Sequence, residues 1–176
     1  SNATNSESTY GLVSSFNSNG FTVYTNGTYL ASNESGGTYV GWQWKAGGTA
    51  VTNTAGSITS QVSANTTAGF SVVTYTGTGA NATVGHGLGA APNLIICKRR
   101  VSSGGDWQVY HSALGATQYI KMNATAAAGS ASTVWNNTAP TSTVFSLSTN
   151  TDANASEAMI AYCWTAIPGY SAFGSY

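Results

Sequence analysis

The sequence predicts an all-β protein, an antiparallel β-sandwich of jelly-roll or immunoglobulin-like type. Three observations carry that expectation. Apolar residues recur at alternate positions in short runs, as strands with one buried face require. Turn chemistry punctuates the runs at Asn19-Gly20, Asn26-Gly27, Gly36-Gly37, Gly47-Gly48, Gly77-Thr78-Gly79 and Gly104-Gly105. The only helical candidate, 124–131, contains Gly129 and is too short to stand alone.

The elements follow in order. Phe70–Tyr75 is dominated by β-branched and aromatic residues and reads as a strand. Leu94–Cys97 is continuously apolar, which predicts a central strand covered on both faces. In Trp107–His111, Trp107 and Val109 share one face, and Gln108 and Tyr110 share the other. Tyr119–Asn123 is expected to bury Ile120 and Met122, and Val144–Ser148 to bury Phe145 and Leu147.

The chain also echoes itself. Val40, Trp42 and Trp44 in Thr38–Ala46 occupy the same alternate positions as Ile160, Tyr162 and Trp164 in Ala158–Ala166. Upstream, Phe21-Thr22-Val23 matches Phe145-Ser146-Leu147, and Gly69-Phe70-Ser71 matches Gly169-Tyr170-Ser171. These echoes predict a repeat of roughly 100 residues, from Gly69 to Gly169. On that reading 1–9 is a flexible start in which Ser1-Asn2-Ala3 resembles the scar of a cleaved tag. Residues 10–46 are closing strands of a preceding unit, packed on the main body; 47–68 is a connector. A full unit follows over 69–168, and 169–176 is the opening strand of a next one.

Composition narrows the chemistry. Only 6% of residues are charged, five basic and five acidic, for a net charge of zero. Nucleic-acid binding needs clustered cations to neutralise phosphates, and Lys98-Arg99-Arg100 is the only cluster. No nucleic acid is expected as a partner. No apolar stretch approaches the ~20 residues of a spanning helix, so no membrane insertion is expected. A glycosidase needs two carboxylates flanking one bond. The acids here, Glu7, Glu34, Asp106, Asp152 and Glu157, form no close pair along the chain, so such a pair requires the fold. Two Cys and two His at 86, 97, 111 and 163 make no zinc spacing, and no metal or other cofactor is expected. Cys97 and Cys163 sit in apolar runs and read as buried free thiols. The apolar fraction of 41%, with five Trp, ten Tyr and five Phe, is ample for a core.

One combination is more specific. Phe70–Gly79 ends in Tyr75-Thr76-Gly77-Thr78-Gly79; Gly85-His86-Gly87-Leu88-Gly89 and Pro92 follow, and then Leu94–Arg100. Gly105-Asp106-Trp107 and the closing 166–176 segment belong to the same pattern. Together they resemble a repeated β-domain of tailed-bacteriophage virion proteins of tail-fibre or appendage type. The resemblance covers about 69–176 as a full unit and 10–46 as the end of another. It implies a location in the virion, other virion proteins as partners and a homo-oligomer. It carries over no catalytic residue.

Within the motif, Gly85, Gly87 and Gly89 are expected to supply positive φ around a turn. Leu88 is expected to plug one end of the sandwich, and Pro92 to fix the approach to the next strand. His86 fits either a base or a structural group bonding a loop carbonyl; no nucleophile lies near it in sequence. The ligand-binding candidates are aromatic platforms beside polar groups: Asp106, Trp107, Tyr110 and His111, and the loop Trp135, Asn136, Asn137. Either group suits a host-surface glycan, and either suits core packing with a satisfied edge. The expected function is non-enzymatic: a structural and adhesive domain, or a spacer whose contacts are all to virion proteins, with a glycan-degrading fragment as the third reading. Multivalent display would convert weak single sites into avidity.

Overall fold

The structure, a computed structural model, describes residues 13–23, 33 and 35–175. The described residues fall into two compact units, one up to Trp44 and one from Lys45 onward; each is described by itself.

In the first unit, β1 (Val13–Asn17) and β2 (Gly20–Val23) form an antiparallel hairpin through Ser18-Asn19, with a bulge between Val13 and Ser15. The Phe21 ring lies over Gly41, where a Cβ would stand 2.7 Å from its Cζ. The stretch 37–44, expected as a strand, forms no ladder with the described residues.

The second unit is built on one antiparallel eight-stranded sheet. Its strands are β3 (Val51–Asn53), β4 (Ser60–Asn65), β5 (Phe70–Thr76), β7 (Leu94–Arg99), β8 (Gln108–His111), β9 (Gln118–Lys121), β10 (Gly129–Ser130) and β12 (Ala158–Trp164). Their order is β10-β9-β8-β7-β12-β5-β4-β3. β6 (Ala82–Gly85) and β11 (Val144–Leu147) pair as a separate antiparallel ribbon. Two single-turn helices complete the unit, α1 (Ser132–Trp135) and α2 (Thr151–Asn154).

The main core lies on one face of the large sheet. Val62, Val73, Tyr75, Ile95, Cys97, Met159 and Ala161 pack there with Val84 of β6, Phe145 and Leu147 of β11, and Val134 and Trp135 of α1. The opposite face gathers a smaller cluster of Phe70, Ile96, Val109 and Trp164, flanked by Trp107, Ile120, Tyr162 and Phe173. β7 is therefore an inner strand with apolar residues on both faces, which its unbroken apolar run requires.

Several details differ from the sequence reading. The stretch read as a connector holds β3 and β4, both in the large sheet. The helical candidate at 124–131 is not a helix. Its Gly129 enters β10 opposite Tyr119, whose ring occupies the space a Cβ would need. Met122 lies beyond the end of β9 and is about half exposed (47%), although Ile120 packs as expected. Gly85 does not take a positive φ; what it supplies is room, because a Cβ there would displace the amide end of the Asn53 side chain. Gly87 does adopt φ +71 and sits against Val62.

Candidate functional site

The Gly-His-Gly-Leu-Gly turn leads out of β6. His86 is fully buried, and both ring nitrogens are engaged. Nδ1 accepts from the Leu88 backbone N–H at 3.2 Å, so the proton sits on Nε2, which donates to the Thr141 carbonyl at 3.2 Å. Burial pushes its pKa below the ordinary imidazole value. This ring ties the β6 turn to the segment before β11 and has no nitrogen left for a ligand. Leu88 plugs the main core, and Pro92 is buried just before β7.

The proposed platforms do not assemble. Tyr110 and Trp135 are both core residues, packed edge to face with ring centroids 5.9 Å apart. Trp135 is 1% exposed, so it offers no surface to a sugar. The reason is β8's alternation: Tyr110 shares the inner face with Gln108, and α1 lays Trp135 across it. Trp107 points to the opposite face, with the Lys98 ammonium 5.5 Å from its ring centroid. Half-buried His111 uses Nδ1 to accept from the Ala113 N–H. Asn136 and Asn137 take left-handed φ of 52° and 49° and end α1, a backbone role that amides tolerate well.

Asp106 leads instead to a cluster of charge that the sequence does not announce. Its carboxylate takes Lys121 Nζ at 2.6 Å and Asn123 Nδ2 at 2.8 Å. The hydrogen bond from Lys121 is the main cause of a pKa held below the usual carboxylate range, and Lys121 is raised in return. On the sheet face that carries the main core, Lys121 lies directly across from Gln108. Gln108 is fully buried and donates through Nε2 to Asp152 Oδ2 at 3.2 Å. Asp152 Oδ1 meets Arg99 Nη2 at 3.3 Å, and Arg99 Nε lies 3.9 Å from Glu157 Oε1 and donates to the Thr151 carbonyl. Ser102 bridges the system, accepting from Arg99 Nη1 and donating to Glu157 Oε1 at 2.5 Å.

Three of the five acids thus join two of the five bases at one end of the sheet. The fold does bring two carboxylates together, Asp152 and Glu157, but the Arg99 guanidinium contacts both. A glycosidase pair needs open space for a glycosidic bond between its carboxylates; here a cation fills that role. What this arrangement does chemically is pin the ends of β7, β8, β9 and β12 to α2.

Cys97 and Cys163 are free and fully buried. Burial pushes the Cys97 thiol up to about 12 and the Cys163 thiol also upward, so both remain protonated hydrophobes. Among the described residues no cluster of three or more His, Cys, Asp or Glu is placed to hold a metal ion. Among them, too, no helix is long and apolar enough to cross a membrane.

The class defined by this geometry is an all-β domain in which Arg99, Lys121, Asp106, Asp152 and Glu157 join in ion pairs and His86 is hydrogen-bonded through both ring nitrogens. The chain belongs to the family described as Domain of unknown function (DUF7483), which matches it over residues 1–176. No curated protein and no solved structure matches it.

Proposed function

We propose that this chain is a non-enzymatic β-domain of a phage tail fibre or appendage, built as a repeated sandwich of roughly 100 residues per unit, that supports and attaches the particle to host-surface glycans. The observation that carries the reading is the commitment of ionisable chemistry to structure. Asp106, Asp152 and Glu157 are held by Arg99 or Lys121, and His86 has no free nitrogen. The sandwich is supported by the β6–β11 ribbon lying over the inner face of the large sheet. The virion setting is supported by the motif running from Tyr75-Thr76-Gly77 through His86-Gly87-Leu88-Gly89 to Lys98-Arg99, together with a surface nearly free of net charge.

A second reading, a spacer that touches only virion proteins, is favoured by one observation: Tyr110 and Trp135, two of the best aromatic platforms in the sequence, are buried against each other. An array of bacterial surface polysaccharides probed with the multimerised protein separates the two. Specific binding supports attachment, and silence across the array favours the spacer. Release of new reducing ends from any polysaccharide would overturn the non-enzymatic reading.

A further inference from the structure

The turn of the β1–β2 hairpin holds a reactive pair. Among the described residues Asn19 is the one asparagine that precedes a glycine. Its carboxamide carbon is within reach of the Gly20 backbone nitrogen, and attack of that nitrogen closes a succinimide ring. Glycine is the most permissive residue for this attack, because no Cβ shields the nitrogen or restricts its backbone. At Gly20 the space is open: beyond its chain neighbours, no atom lies within 4 Å of where a Cβ would stand.

Asn17, just before the turn, shows the contrast. Its Nδ2 donates to Thr22 Oγ1 at 3.1 Å, its Oδ1 accepts from Ser15 Oγ at 3.2 Å, and Ser18 follows it. Asn19 is exposed, lies in the turn itself and makes no side-chain hydrogen bond with the described residues. Every residue of β1 is exposed, and Asn17 with Gly20 is the last pair of the ladder. The end pair of a two-stranded ribbon opens at little cost, which frees the Gly20 nitrogen and lets the Asn19 side chain turn onto it.

We propose that Asn19 is a site of spontaneous deamidation and isomerisation. The Gly20 nitrogen gives its proton to solvent and bonds to Asn19 Cγ; the Cγ–Nδ2 bond breaks, and the amide nitrogen takes up a proton and leaves as ammonia. Water then opens the ring. Its hydroxyl adds to one of the two ring carbonyls, the bond from that carbon to the Gly20 nitrogen breaks, and the nitrogen regains a hydrogen. Opening at Cγ leaves an ordinary backbone with an aspartate side chain; opening at the main-chain carbonyl routes the chain through Cβ and Cγ as isoaspartate. Either product adds a negative charge to a chain whose net charge is zero. Isoaspartate also lengthens the turn whose two residues set the pairing of Asn17 with Gly20. The inference is independent of the functional reading, since it concerns the chemistry of the chain alone.

The test ages the full chain at mildly alkaline pH in heavy-oxygen water. Isoelectric focusing should show a more acidic band that grows with time. Digestion with chymotrypsin cuts after Phe21 and so separates Asn19 from Asn26, which lies outside the described residues. Fragmentation of the Asn17–Phe21 peptide should place the heavy oxygen at position 19, and an isoaspartyl methyltransferase should label that peptide. G20A fits the hairpin, because Gly20 takes no positive φ and has room for a Cβ. It should slow conversion about tenfold, equivalent to ~1.4 kcal/mol of barrier, with Tm unchanged. An Asn19 that converts no faster than Asn17 overturns the proposal, and so does G20A converting at the wild-type rate.

Discussion

Replacing Trp135 decides between a core anchor and a ligand platform. The indole is 1% exposed and packs edge to face on Tyr110 at 5.9 Å. Truncating a buried Trp to Ala removes its transfer free energy and leaves a cavity, about 3–5 kcal/mol together. The aromatic pair contributes about 0.5–1.5 kcal/mol of that. For a chain of this length each kcal/mol shifts Tm by about 2–4 °C, so W135A should lower Tm by about 6–20 °C. W135F should cost far less. It keeps a ring against Tyr110 and removes an indole N–H that is buried without a partner among the described residues, a group whose desolvation costs about 1–3 kcal/mol. The assay is thermal unfolding followed by circular dichroism, with urea titration to check that the m-value is unchanged. If W135A leaves Tm within ~2 °C while abolishing binding to a polysaccharide, the core assignment fails and the platform reading returns.

Other outcomes follow from the same structure. His86 is held below the ordinary imidazole value, so the unfolded chain binds its proton first. Stability should therefore fall as pH drops below about 6.5, and urea midpoints across pH 5–7 should show a flatter slope in H86Q. Fully buried Asn154 accepts from Thr78 N–H and donates to the Ala80 and Ser148 carbonyls; N154A should cost about 2–4 kcal/mol by chemical denaturation, since those groups are left unpaired. R99M leaves Asp152 and Glu157 without their shared cation and should cost about 2 kcal/mol, between the values for exposed and buried pairs; the loss should be smaller in a D152N background. Cys97 and Cys163 should resist a thiol-specific reagent in the native protein and react in denaturant, because burial holds both thiols protonated.

The legible parts of the fold were those with a strong side-chain signal. β5, β7, β8 and β11 are rich in β-branched and aromatic residues, and alternation placed Phe145 and Leu147 inward and split Trp107 from Tyr110 correctly. β4 was hidden because its inner row is Ser60, Val62 and Ala64: small residues that pack closely yet carry little apolar contrast. β3 is shorter still, and its Thr52 and Asn53 look like loop. The charged cluster was out of reach for another reason. Arg99 and Asp152 are separated by 53 positions and Gln108 and Asp152 by 44, and only the pairing of β7 with both β8 and β12 brings them together. The aromatic platforms misled because a Trp beside amides reads alike in a glycan loop and in a helix stop; burial of the ring separates the two.

The place of β12 between β5 and β7 has a kinetic consequence. Of the unit's described strands, the last to leave the ribosome is one of its innermost, and it sets Trp164 against Phe70 on one side and Leu94 on the other. Until it arrives, the halves of the sheet have no common edge, and loop-closure entropy opposes any early docking. Maturation of this unit should thus be slow and late, and a nascent chain stalled before Ala158 should remain protease-sensitive throughout.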